Sequence, residues 1–300
     1  MKLNALFISL FSILIVYPDC GYSKDIFLQS HEANYLGFTY DGIKSSDKVK
    51  KDGPYIDYQV SIKHPICHDC ENQFYLAFTH RGAFYALPSE KKRSSSPVVG
   101  KKYVFQPVFF RRGNSYEYTD IRLTHESNGQ SIDDSASYDD FRILHQTENN
   151  DADFARKFIS RGWNYPEIEF QRKFGSSKLY WNANFKFLQI ENSPEEYNAW
   201  EGGEGKARKE TDGVLLGLKY NRNGSWLKKA NFFYNTGISG FSKNNTYSAE
   251  LVFRTFKKLT IDIMFRCRKG YNSDLIDYYM DIDSCTVAVV SKTDRDEPLF

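Results

Sequence analysis

His125 and Ser127 stand two residues apart in segment 120–131, D-I-R-L-T-H-E-S-N-G-Q-S. Ile121 and Leu123 alternate there with Arg122, Thr124 and Glu126, so an extended chain carries His125 and Ser127 onto the apolar face. Two positions along a strand is about 7 Å at Cα, within reach of an imidazole bonding to a hydroxyl. A serine becomes a competent nucleophile when a positioned base takes its proton, and histidine does this near neutral pH. The competing reading is a strand end with a surface histidine before a Ser-Asn-Gly turn. Segment 161–170, R-G-W-N-Y-P-E-I-E-F, weighs against it, because Asn164 shares the parity of Ile168 and Phe170. If the two segments pair through 128–160, Asn164 lies beside His125, where it can accept from the far ring nitrogen and set the tautomer. Polar residues at one level of an otherwise apolar face are costly unless they have a task.

The elements that must hold these residues alternate with period two. Ile56, Tyr58, Val60 and Ile62 interleave with Asp57, Gln59, Ser61 and Lys63, and the same pattern recurs in 179–187 and 259–268. Roughly twelve strands are expected, near 34–41, 55–64, 73–85, 102–111, 117–127, 161–173, 178–190, 211–221, 226–235, 243–254, 259–269 and 280–292. Short turns at 112–115, 174–177, 221–225 and 255–258 alternate with long polar connections at 41–54, 87–101, 128–160, 191–211 and 270–277. An even strand count with connections segregated by length describes an all-β chain, an antiparallel transmembrane β-barrel of the outer-membrane type. A secreted β-sandwich alternates too, but its turns are not sorted by length. No internal repeat of fixed period occurs, so one domain suffices.

Composition fits this reading. The 300 residues carry 24 Phe, 21 Tyr and 4 Trp, too many aromatics for a disordered chain. Forty basic residues against 38 acidic leave a net charge of +2, which excludes the field expected of a nucleic-acid binder. Lys2, the apolar run 6–17 and the small residues Gly21 and Ser23 read as a secretory signal peptide over 1–23, leaving 24–300 as one exported barrel domain. No later apolar run approaches 18 residues, so no transmembrane helix is expected.

His125-Glu-Ser127-Asn-Gly129 and Ser160-Arg-Gly-Trp-Asn164 resemble the two signature blocks of the outer-membrane phospholipase A family, calcium-dependent barrel lipases. Segment 270–278 resembles that family's loop before the final strand, and weaker echoes are Tyr35, Ser95-Ser-Pro97, Gln106-Pro107 and Phe300, so the resemblance covers most of the chain in order. It implies hydrolysis of phospholipid acyl esters in the bacterial outer membrane, with His125 as base, Ser127 as nucleophile, Asn164 as orienting residue and the Gly129 amide at the oxyanion. It also implies a homodimer active with Ca²⁺, held by Ser95 of one subunit and by the Gln130 carbonyl and Ser160 hydroxyl of the other. By the same resemblance His80 falls about where the family has a dimer-contact glutamine. A non-enzymatic barrel, a pore or an adhesin, is the alternative and needs none of the shared parity of His125, Ser127 and Asn164.

Five cysteines remain. Cys67 and Cys70, flanked by His64 and His68, read as a small disulfide or idle thiols before they read as a metal site, since no second pair accompanies them. Cys267 and Cys285 fall on one face of the last two strands, as a cross-strand bridge or as buried thiols.

Overall fold

The structure is a computed structural model that describes residues 31–42, 54–67, 72–85, 98–112, 117–130, 132, 134–149, 160–187, 190–191, 208–222, 225–255, 261–271 and 281–291. The signal segment, Ser95, Cys70, Phe300 and most of 270–278 lie outside the described residues.

Among the described residues the strands are β1 Tyr35–Gly42, β2 Tyr55–Cys67, β3 Asn72–Tyr85, β4 Val98–Arg112, β5 Tyr118–Ser127, β6 Gly162–Lys173, β7 Leu179–Lys186, β8 Ile190–Glu191, β9 Gly213–Asn221, β10 Leu227–Gly237, β11 Asn245–Arg254, β12 Ile261–Tyr271 and β13 Asp281–Ser291. Each pairs antiparallel with its neighbours, β1 with β13 and β5 with β6, so the sheet closes. β7 and β8 both run along β6, on either side of Phe187, and together form one stave of a twelve-strand barrel. Closure removes the free edges of an open sheet, the condition for a sheet to cross a bilayer.

The period-two pattern explains which side faces which medium. On β1, Leu36, Phe38 and Tyr40 are exposed while Tyr35 and Thr39 are buried. On β12 and β13, Ile261, Ile263, Phe265, Val287 and Val289 point outward over buried Asp262, Met264, Ser284 and Thr286. The exterior is a hydrocarbon-facing band, and no helix among the described residues is long and apolar enough to cross a membrane.

The lumen is packed with charge. Arg122 sits among Asp120 at 2.7 Å, Glu167 at 2.7 Å and Glu169. Gln106 donates to Thr124 at 2.9 Å and to Glu167 at 3.1 Å, and its Oε1 lies 3.1 Å from His31 Nε2. Further ion pairs link Arg81 to Asp57, Lys228 to Asp262 and Arg266 to Glu250. A cavity of about 280 Å³ remains, bordered among others by Lys102, Arg122, Glu126, Lys186 and Asp212.

Three local features differ from, or sharpen, the sequence expectations. Segment 128–160, expected as a polar loop, contains helix α1, Ser135–Asn149. Asp134 caps it, its carboxylate accepting the Ser137 amide at 2.8 Å and hydroxyl at 2.7 Å, and these bonds hold the Asp134 carboxyl below its usual range. A second short helix, α2, Arg208–Thr211, precedes β9. Cys267 and Cys285 are register partners joined by a disulfide on the exposed face, so the buried-thiol reading does not hold.

Candidate active site

β5 and β6 lie side by side with His125 opposite Asn164 and Ser127 opposite Gly162. Their burial alternates as the periodicity requires: His125 is exposed, Ser127 and Asn164 half-buried, while Thr124, Glu126, Trp163 and Tyr165 between them are buried inside. Nδ1 of His125 is 2.8 Å from Oδ1 of Asn164. An amide oxygen only accepts, so the proton of the neutral ring sits on Nδ1 and Nε2 is left as a base.

Ser127 closes β5, and its Oγ accepts the Gly129 amide at 3.1 Å. Gly129 has φ of 62°, and a Cβ there would come within 2.9 Å of the Tyr103 ring. Both conditions favour glycine, and both follow from the turn that folds its amide back over the serine. Tyr103 is in turn the register partner of Ser127 and Phe105 that of His125, so β4 flanks the pair with aromatic rings.

Beyond the strand ends the chain forms a narrow neck. The Asn128 amide donates to the Arg161 carbonyl at 3.0 Å, Oδ1 of Asn128 accepts from the amides of Arg161 at 2.9 Å and Gln130 at 3.4 Å, and Ser160 donates to the Ile132 carbonyl at 2.8 Å. Gln130 and Ser160 therefore belong to the same neck, while Ser95 lies outside the described residues. Carbonyl and hydroxyl groups are neutral hard oxygens of the kind Ca²⁺ accepts, so this half of the expected ligand set fits that ion. No cluster of three His, Cys, Asp or Glu side chains able to hold a metal occurs among the described residues.

His80 also faces outward, its Nε2 2.9 Å from the Tyr58 hydroxyl and its ring stacked on Tyr103 at 4.6 Å. Sequence reasoning placed Glu126 inside but missed what it meets there: Lys102 of β4 at 2.6 Å and Arg208 of α2. The alternation signals an inward carboxylate and nothing in it names the partner.

No protein-family model matches the sequence, and no curated protein matches it at the sequence level. Solved structures do match in fold. Outer membrane phospholipase A from Escherichia coli superposes with a TM-score of 0.63 at 14% identity, covering 91% of this chain and 95% of that one. A Salmonella typhi outer membrane phospholipase dimer with bound calcium gives 0.64 at 14% identity over the same shares. The chain thus has the barrel fold seen in the outer membrane phospholipase A structures, with the bonded pair His125 and Asn164 on its outer surface and Ser127 on the same face of β5.

Proposed function

We propose that the protein is a phospholipase A1/A2 of the bacterial outer membrane, a calcium-dependent serine hydrolase acting on phospholipid acyl esters. The observation that carries this reading is the His125–Asn164 hydrogen bond, made on the outward face one alternate position from Ser127. An oriented base beside a hydroxyl on a hydrocarbon-facing surface has a task there, and the ester bonds of the surrounding leaflet are the substrate at hand.

In the resting geometry the Ser127 hydroxyl holds the Gly129 amide. Rotation about the serine side chain turns Oγ toward Nε2 of His125, which takes the proton as Oγ attacks the ester carbonyl. The Gly129 N–H, released from Oγ, is then free to donate to the oxygen that becomes negative. His125, now an imidazolium steadied by Asn164, returns the proton to the leaving alcohol, and water completes the cycle by the same base. A neutral asparagine steadies that charge less than a carboxylate would. A calcium ion on Gln130 and Ser160, with Ser95 from a second copy, would add positive charge near the oxyanion. The need for two copies makes the homodimer the active form. The ion-paired lumen speaks against the pore alternative.

The test is fatty-acid release from phospholipid micelles by the purified full-length protein with Ca²⁺, beside Ser127→Ala. Hydrolysis by the parent and its loss in the variant support the reading. Equal activity in both overturns it.

A further inference from the structure

The back of the site is built as deliberately as its front. Glu126 lies between His125 and Ser127 on β5, fully buried and pointing into the barrel. Trp163, its register partner on β6, is 2% exposed and immediately precedes Asn164. A single side chain touches both. The Arg208 guanidinium pairs with Glu126 and lies 4.7 Å over the Trp163 ring.

Arg208 reaches this place because α2 is strapped to β10 and the turn that follows it, three strands along the sheet from β6. The Ser239 amide donates to the Lys209 carbonyl at 2.8 Å and Asn244 Nδ2 to the Glu210 carbonyl at 3.0 Å. A Cβ on Gly237 would lie 2.1 Å from that same carbonyl oxygen, so only glycine lets the helix approach β10 this closely. Asp212 ends the strap, bound to Lys186 at 2.7 Å and to Arg208 at 3.3 Å. Burial alone would raise the Asp212 carboxyl, but Lys186 and Arg208 outweigh it and hold it well below the usual range. Its charge is therefore present to fix Arg208.

We propose that Arg208 is a positioning residue for the Ser127 site, acting through Glu126 and Trp163, an inference that rests on the proposed hydrolase. It clamps β5 and β6 from inside at the residues that neighbour His125, Ser127 and Asn164. Without it Glu126 is a buried carboxylate with Lys102 as its remaining cation, and the strand end relaxes to find water or another partner. A displacement of about 1 Å in a catalytic constellation costs up to about 100-fold in rate. Because the clamp touches no substrate, the loss falls on kcat.

The experiment compares full-length parent, Arg208→Gln, Arg208→Lys, Glu126→Gln and the Glu126→Gln/Arg208→Gln double variant, each normalised to its heat-modifiable folded fraction. Arg208→Gln is expected to lower kcat by about 10- to 100-fold with KM within about twofold, and Arg208→Lys to recover most of the loss. In the Glu126→Gln background, where position 126 carries no charge to be answered and Asp212 keeps Lys186, the same substitution is expected to cost no more than about threefold. If Arg208→Gln fails to fold, the double variant carries the test, and folding with the activity of Glu126→Gln supports the clamp. An unchanged kcat in folded Arg208→Gln, or an equal loss in both backgrounds, overturns the clamp alone. A parent without Ser127-dependent hydrolysis overturns the hydrolase reading and the clamp with it.

Discussion

Asn164→Ala isolates the contribution of imidazole orientation. The substitution removes the acceptor 2.8 Å from His125 Nδ1 and leaves the β5–β6 ladder intact, since the backbone pairing of residues 125 and 164 does not depend on the side chain. The other flank of His125 is Phe105, which offers no acceptor. In the transition state the ring is cationic, so the lost bond is one to a charged group, worth about 1.5–3 kcal/mol. At about 1.36 kcal/mol per decade this is about a 10- to 150-fold fall in kcat with little change in KM. Asn164→Asp keeps an acceptor in place and is expected to lose less. The assay is steady-state fatty-acid release at saturating Ca²⁺, with folded protein counted by heat-modifiable migration. Activity of Asn164→Ala within about twofold of the parent would refute the reasoning, because the ring would then be oriented by something else.

Ser127→Ala and His125→Ala should each abolish hydrolysis, with the double variant no worse than either, because the two act as a unit. A chelator should remove activity, Ca²⁺ restore it and Mg²⁺ restore it poorly, with crosslinked dimer increasing when Ca²⁺ and a substrate analogue are present; a fully active metal-free monomer contradicts this. Phe170→Arg places a charge on the outer face and should impair assembly by about 2–4 kcal/mol near the midplane, read as loss of the heat-modifiable form. Glu169→Gln, one residue away but inward, should assemble, since its side chain can still accept from Tyr118 and Asn182 while Asp120 and Glu167 remain around Arg122.

The sequence by itself determined the faces. Side-chain direction in a strand alternates at every residue, so the parity of Ile121, Leu123, His125 and Ser127, and of Asn164, Ile168 and Phe170, is a local property needing no tertiary information. It also determined the strand number, because turn residues and apolar alternation punctuate the chain at short range. It did not reveal α1, whose apolar positions are few and whose Asp134 cap lies in a polar stretch that reads equally as loop. Tertiary structure decided the rest. Closure of β1 onto β13 and the pairing of β5 with β6 bring Asn164 to His125 across a long connection. Only the folded barrel decides which of many lumen charges answers which: Glu126 with Lys102 and Arg208, Arg122 with Asp120, Glu167 and Glu169. Alternation dictates that a charge points inward, but its partner is chosen by the three-dimensional proximity of elements far apart in the chain, under the rule that a buried ion must be paired.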